Sequence, residues 1–174
     1  MTDDQGLIQV YFGNGKGKTT ASLGVALRAL GHSLRVLFVQ FFKRQFTGEM
    51  AAFQCIPQAE FYQFGSGDFL LGREINSEDQ KEFRAGWELA KRALHEGTHR
   101  LVILDEISYA FAFNLLNWEE LEQVLRERKP QVEVVITGRR VPEQLIDMAD
   151  LVTEMREIKH PYTKGIKARE GFEF

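Results

Sequence analysis

The stretch Gly13-Asn14-Gly15-Lys16-Gly17-Lys18-Thr19-Thr20 sets glycines around two lysines and closes on two hydroxyls. Glycines let successive backbone N–H groups turn inward around an anion, a lysine supplies a point charge, and the next hydroxyl can reach Mg²⁺. A helix starting at this point adds the partial positive charge of its N-terminus. Gly13, Gly15, Gly17, Lys18 and Thr19 thus supply the parts of a phosphate-binding loop, with one departure. The usual pattern has a glycine five positions ahead of the Gly-Lys pair, and here Phe12 stands in that place. A loop one residue short must hold a polyphosphate differently, or hold a different stretch of it.

Two other groups of residues fit the same chemistry. Val102-Ile103-Leu104-Asp105-Glu106 is an apolar run closed by two carboxylates. At the C-terminal end of a parallel strand next to the loop strand, such a carboxylate can bind Mg²⁺ directly or through water. Asp105 and Glu106 remain alternatives for that role, and either could instead stabilise a helix N-terminus. Thr137-Gly138-Arg139-Arg140 ends another apolar run, where Arg139 or Arg140 could neutralise a triphosphate at the same sheet edge. His32, His95, His99 and His160 show no metal-ligand spacing and read as surface or structural residues. The lone Cys55 reads as a small buried hydrophobe.

These groups need elements that carry them to one edge. Apolar, partly β-branched runs predict strands at 7–12, 35–41, 60–64, 100–106, 132–138 and 151–157. Helical stripes fall at 20–30, from Ser77 to near Gly97, at 118–129 and at 142–150. Ser77 with Gln80, and Asn117 with Glu120, have capping-box spacing. Strands alternating with helices require right-handed crossovers, which gives an α/β fold, a three-layer sandwich on a mostly parallel sheet. Between Phe42 and Asn76 the pattern is weaker, and a glycine-punctuated loop at 65–72 carries Phe69, Leu70 and Leu71 at an apolar tip that could touch a ligand. The C-terminal segment from Lys159 has no clean period and is expected to lie over the domain or close the site.

At 174 residues the chain suits a single domain, 1–174. A hydrophobic fraction of 44% and a charged fraction of 27% are those of a soluble globular protein, and no apolar run reaches the length that spans a bilayer. The acidic, polar start and the single cysteine fit a cytoplasmic, reducing setting. A net charge of −3 without a basic run gives no sign of nucleic acid as a partner. On residues alone, a P-loop ATPase or kinase acting at the γ-phosphate and a nucleotide-binding regulatory module remain open, since both would use Lys18, Thr19 and Asp105.

Over nearly its whole length the chain resembles the P-loop family of ATP:corrinoid adenosyltransferases. The resemblance rests on GNGKGKTTA at 13–21, VILDEI at 102–107, TGR at 137–139, DLVTEMR at 150–156 and the KHPY…EF segment at 159–174. The shortened loop is the family's own form. The resemblance implies a RecA-like P-loop NTPase fold, a homodimer, and transfer of the 5′-deoxyadenosyl group of ATP to the cobalt of a reduced corrinoid, with triphosphate leaving. The corrinoid would be cob(I)yrinic acid a,c-diamide or cob(I)alamin. Gly13 through Thr20, including Asn14 and Lys16, would then cradle the triphosphate of an ATP bound in reversed orientation. Lys18 and Arg139 would offset its growing charge, and Thr19 with Glu106 or Asp105 would hold Mg²⁺ (or Mn²⁺). Phe69 matches a family position whose aromatic ring displaces the lower axial ligand of cobalt, so that a reduced flavin can deliver an electron. Leu71 stands where a tryptophan is often found. Some relatives cover the corrin with a basic N-terminal helix; with about half a dozen residues ahead of the first strand, closure here is expected from another segment, or is expected to be looser.

Overall fold

In the computed structural model, which describes residues 5–66 and 74–173, six strands form one sheet in which every neighbouring pair is parallel. The strands are β1 (Ile8–Phe12), β2 (Val36–Phe41), β3 (Ala59–Phe64), β4 (Leu101–Asp105), β5 (Glu133–Gly138) and β6 (Leu151–Glu154). Their order across the sheet is β3-β2-β4-β5-β1-β6. The expected mostly parallel sheet is therefore parallel throughout. One expectation is corrected: the carboxylate strand β4 is not next to the loop strand β1, because β5 lies between them. Residues at the C-terminal ends of all these strands still share one edge, which is where ligands sit in such sheets.

Alternate strand residues build the two outer layers, as strand geometry requires. Leu37, Val39 and Phe41 pack with Val102, Leu104, Val134 and Ile136 under α3 (Ser77–Glu96), α4 (Tyr109–Ala112), α5 (Trp118–Glu127) and α6 (Glu143–Met148). Val36, Phe38, Leu101, Ile103 and Val135 face the other way, under α1 (Lys18–Gly31) and α2 (Gly48–Gln54). Both faces being covered explains why these strands read as continuous apolar runs. The expected three-layer α/β sandwich is thus in place. Among the described residues no helix is long and apolar enough to cross a membrane.

Local differences from the sequence reading have identifiable causes. The cap of α3 is Asn76 rather than Ser77: its side chain accepts from the Asp79 N–H at 2.9 Å, and Asp79 accepts from the Asn76 N–H at 3.0 Å. Replacing Asn76 by Ala removes the acceptor for the Asp79 N–H and should cost about 1 kcal/mol, read as a Tm fall of about 2–4 °C by thermal unfolding. Asn117 does cap α5 through the Glu120 N–H at 2.8 Å. The Glu120 carboxylate does not return the bond; it accepts instead from Trp87 at 2.6 Å and Arg84 at 3.2 Å. Helix α2 lacked a legible signal because it is short and its Thr47 cap makes no side-chain bond; it is held by Phe53, whose ring meets Phe38 and Phe61 edge-on. Cys55, at its end, is exposed rather than buried. His99 is a buried structural residue hydrogen-bonded to Glu60 at 3.0 Å.

Candidate active site

Strand β1 delivers the chain into the glycine loop, and neighbouring strands pin that loop from two sides. The Gly13 N–H donates to the carbonyls of Gly138 and Arg139 at the end of β5, each at 3.2 Å, and the Gly15 N–H donates to the Met155 carbonyl just past β6 at 2.7 Å. A Cβ on Gly13 or Gly15 would approach that Met155 oxygen to 2.5 or 2.7 Å, and Gly13 has φ of 112°. Both positions therefore require glycine. The loop packs against the β6 exit, and Phe12, where a glycine is usual, is a strand residue paired with Gly138 and Glu154.

Lys18 opens α1 and is buried, its ammonium donating to the Gly13 and Gly15 carbonyls at 2.9 and 3.1 Å. Burial pushes its pKa down, with Glu106 and Asp105 opposing and Arg139 adding to the fall. An ammonium has three N–H bonds, so one is left for an anion above the loop.

Asp105 and Glu106 differ sharply although adjacent. Asp105 is fully buried and accepts from Thr19 Oγ1 at 3.0 Å, Gln40 Nε2 at 2.8 Å and Thr137 Oγ1 at 2.7 Å. Its oxygens are saturated by donors. Glu106 sits in the left-handed region, at φ of 58°, with its N–H donating to Thr137 Oγ1 at 2.8 Å. Non-glycine residues visit that region at a cost of about 1–2 kcal/mol, and such strain gathers at functional sites. Its carboxylate oxygen Oε2 is buried without a hydrogen-bond partner. Burial, and then the Asp105 charge, push the Glu106 pKa up. A buried anionic oxygen left unsatisfied is suited to a cation, and Thr19, whose proton is engaged by Asp105, can offer its oxygen lone pairs to the same ion.

The loop and these carboxylates open on one cleft of about 700 Å³. Asn14, Gly15, Lys16, Gly17, Lys18, Thr19 and Thr20 line it, together with Glu106 and Arg139; Arg140 does not. Lys16 pairs with Glu173 at 2.8 Å. Glu173, also bound by Arg169, has its pKa pulled down to about 2 by those two cations. The C-terminal segment closes one side of the cleft with His160, Tyr162, Thr163 and Phe172. Of the two expectations for it, lying over the domain or closing the site, the second holds. Lys43, Tyr109 and Glu157 line the cleft as well and were not singled out in sequence. Lys43 could have been found by extending the sheet-edge rule to the end of β2. Phe69, together with Leu70 and Leu71, lies outside the described residues.

A parallel α/β sheet with a glycine loop leading into a helix, an acidic strand end and an arginine strand end at the same edge defines a P-loop nucleotide-binding protein. Residues 4–174 match the family described as ATP:corrinoid adenosyltransferase BtuR/CobO/CobP, and the chain belongs to that family. It is 38% identical over 173 residues to the corrinoid adenosyltransferase of Escherichia coli strain K12, covering 99% of this chain and 87% of that protein. Against the corrinoid adenosyltransferase of Sinorhizobium sp the identity is 40% over 177 residues, covering 99% and 82%. Corrinoid adenosyltransferase CobA of Salmonella typhimurium strain LT2 is 36% identical over 173 residues, covering 99% and 87%.

Proposed function

We propose that the protein transfers the 5′-deoxyadenosyl group of ATP to the Co(I) centre of a reduced corrinoid, cob(I)yrinic acid a,c-diamide or cob(I)alamin, with release of triphosphate. Family membership makes it a transferase that adenosylates corrinoids at the expense of ATP, a step of cobalamin biosynthesis. The observation that carries the finer reading is the convergence in one cleft of the loop ammonium of Lys18, the Arg139 guanidinium and the unpartnered Glu106 oxygen.

In this reaction the cobalt electron pair forms a bond to C5′ of the ribose while the C5′–O bond to the triphosphate breaks. The nucleophile carries no proton, so no general base is needed, and the protein acts by positioning and electrostatics. The loop amides and Lys18 hold the triphosphate, and Arg139 meets the charge it gains on leaving. Mg²⁺ held by Glu106 and Thr19 would neutralise part of that charge. Asp105 serves behind them, orienting the Thr19 hydroxyl. Phe69 is assigned to displacement of the lower cobalt ligand and a reduced flavin to supply of the electron. The protein is assigned to the cytoplasm, as a single domain working in a homodimer.

Products test this directly. Incubated with Mg-ATP and chemically reduced cobalamin, the protein should give free triphosphate by phosphorus NMR together with adenosylated cobalamin. ADP with inorganic phosphate would instead identify a γ-phosphate enzyme, and unchanged ATP a regulatory binding module.

A further inference from the structure

The cations expected in sequence leave one flank of the site uncovered. Within the sheet, β4 has β2 on one side and β5 on the other. Arg139 approaches from the end of β5, and Lys18 from the loop after β1. Lys16, the remaining loop cation, is taken up by Glu173. On the β2 flank stands Lys43, three residues past Gln40, which is registered with Asp105. It is half-buried, lines the same cleft, and makes no hydrogen bond or ion pair with any described residue. Its charge reaches both Asp105 and Glu106.

Lys43 is held there by its backbone surroundings. Phe42 before it adopts φ of 57°, and its ring stacks on Phe83 at 5.7 Å and meets Phe113 and Tyr109 edge-on. An aromatic residue in the left-handed region is strained, and the cluster of rings fixes it in place. From the other side Gly65, just past β3, comes so close that a Cβ there would lie 2.7 Å from the Lys43 amide nitrogen. Two independent constraints thus aim the chain at the cleft. Lys43 acts on Asp105 and Glu106 by its charge alone, with no ion pair to either. It has no hydrogen-bond or ion-pair partner among the described residues.

We propose that Lys43 is a third triphosphate-binding cation, contacting the polyphosphate from the β2 flank. The proposal rests on the adenosyl-transfer reading only for the identity of the leaving group. Its test measures phosphate binding without turnover. With EDTA present, so that no metal bridges the ligand to Glu106, titration calorimetry with inorganic tripolyphosphate should show Lys43→Met weakened by about tenfold to a hundredfold. Lys43→Arg, which keeps the charge, should stay within about threefold of the native protein. Adenosine, which lacks phosphate, should bind all three proteins equally. Unchanged tripolyphosphate affinity in Lys43→Met would overturn the assignment, as would a parallel loss of adenosine affinity, which signals a distorted site. Failure of the activity reading would appear elsewhere, as ADP rather than triphosphate among the products of the native protein.

Discussion

Glu106→Gln is expected to lose about 10³-fold or more in adenosyl transfer while folding as well as the native protein or better. Glutamine keeps the shape of the side chain but removes the anionic oxygen that is buried without a partner. In the nucleotide-free protein this oxygen is a liability, desolvated and set beside a second carboxylate. Folding raises the pKa of both Glu106 and Asp105. Carboxyls that hold protons more tightly when folded give stability that is complete below their ordinary pKa of about 4 and is lost as pH rises through the folded values. Removing one of them should lessen that loss, so the nucleotide-free variant should show a Tm at neutral pH equal to or above that of the native protein. Asp105→Asn should behave in the opposite way. Its oxygens accept from three donors, and an amide NH₂ in place of one oxygen would face Thr19, Thr137 or Gln40 donor to donor. A cost of about 2–3 kcal/mol is expected, or a Tm fall of several degrees. Thermal unfolding of the two variants at matched pH, with turnover measured on the same samples, checks the pair of expectations. An unstable Glu106→Gln protein, or one that retains activity, would show that the free oxygen is not there for a cation.

That contrast between neighbours was not legible in the sequence, where Asp105 and Glu106 are simply two acids at a strand end. What separates them is long-range: Gln40 comes from β2, Thr137 from β5 and Thr19 from α1, and only the folded sheet brings three donors to one carboxylate. The strands themselves were readable because both sheet faces are covered, so that β2, β4 and β5 are apolar at nearly every position. Strand order was not, since local pattern says nothing of which strand neighbours which, and β5 came between β1 and β4. The loop was legible from the spacing of its glycines, of which Gly13 and Gly17 take a positive φ; the Met155 carbonyl that also excludes a side chain at Gly13 and Gly15 was not. The fate of Lys16 was hidden, as its partner Glu173 lies 157 residues along the chain. Lys43 was legible only in its place past the end of β2; the strained Phe42 and tight Gly65 that aim it do not announce themselves by spacing.

Lys18→Ala is expected to remove transfer almost wholly, by about 10³-fold in kcat, with little change in fold. In the structure the ammonium spans the loop, donating to the Gly13 and Gly15 carbonyls, which leaves its third N–H for the triphosphate of the proposed reaction. As C5′ is attacked, the bridging oxygen of the triphosphate gains negative charge, so a fixed cation beside it stabilises the transition state more than the ground state. The loss should therefore fall mainly on kcat rather than on the apparent KM for ATP, because loop amides and Arg139 still bind the resting polyphosphate. Stability should change little for two opposed reasons. Two carbonyls lose a charged donor, but a lysine whose burial pushes its pKa down no longer has to be desolvated. Steady-state kinetics with pre-reduced cobalamin, paired with thermal unfolding, separates these quantities. A variant with normal kcat and a raised KM would show that Lys18 binds the triphosphate equally before and during its departure, and would move the electrostatic role from the loop to Arg139 and the β2 flank.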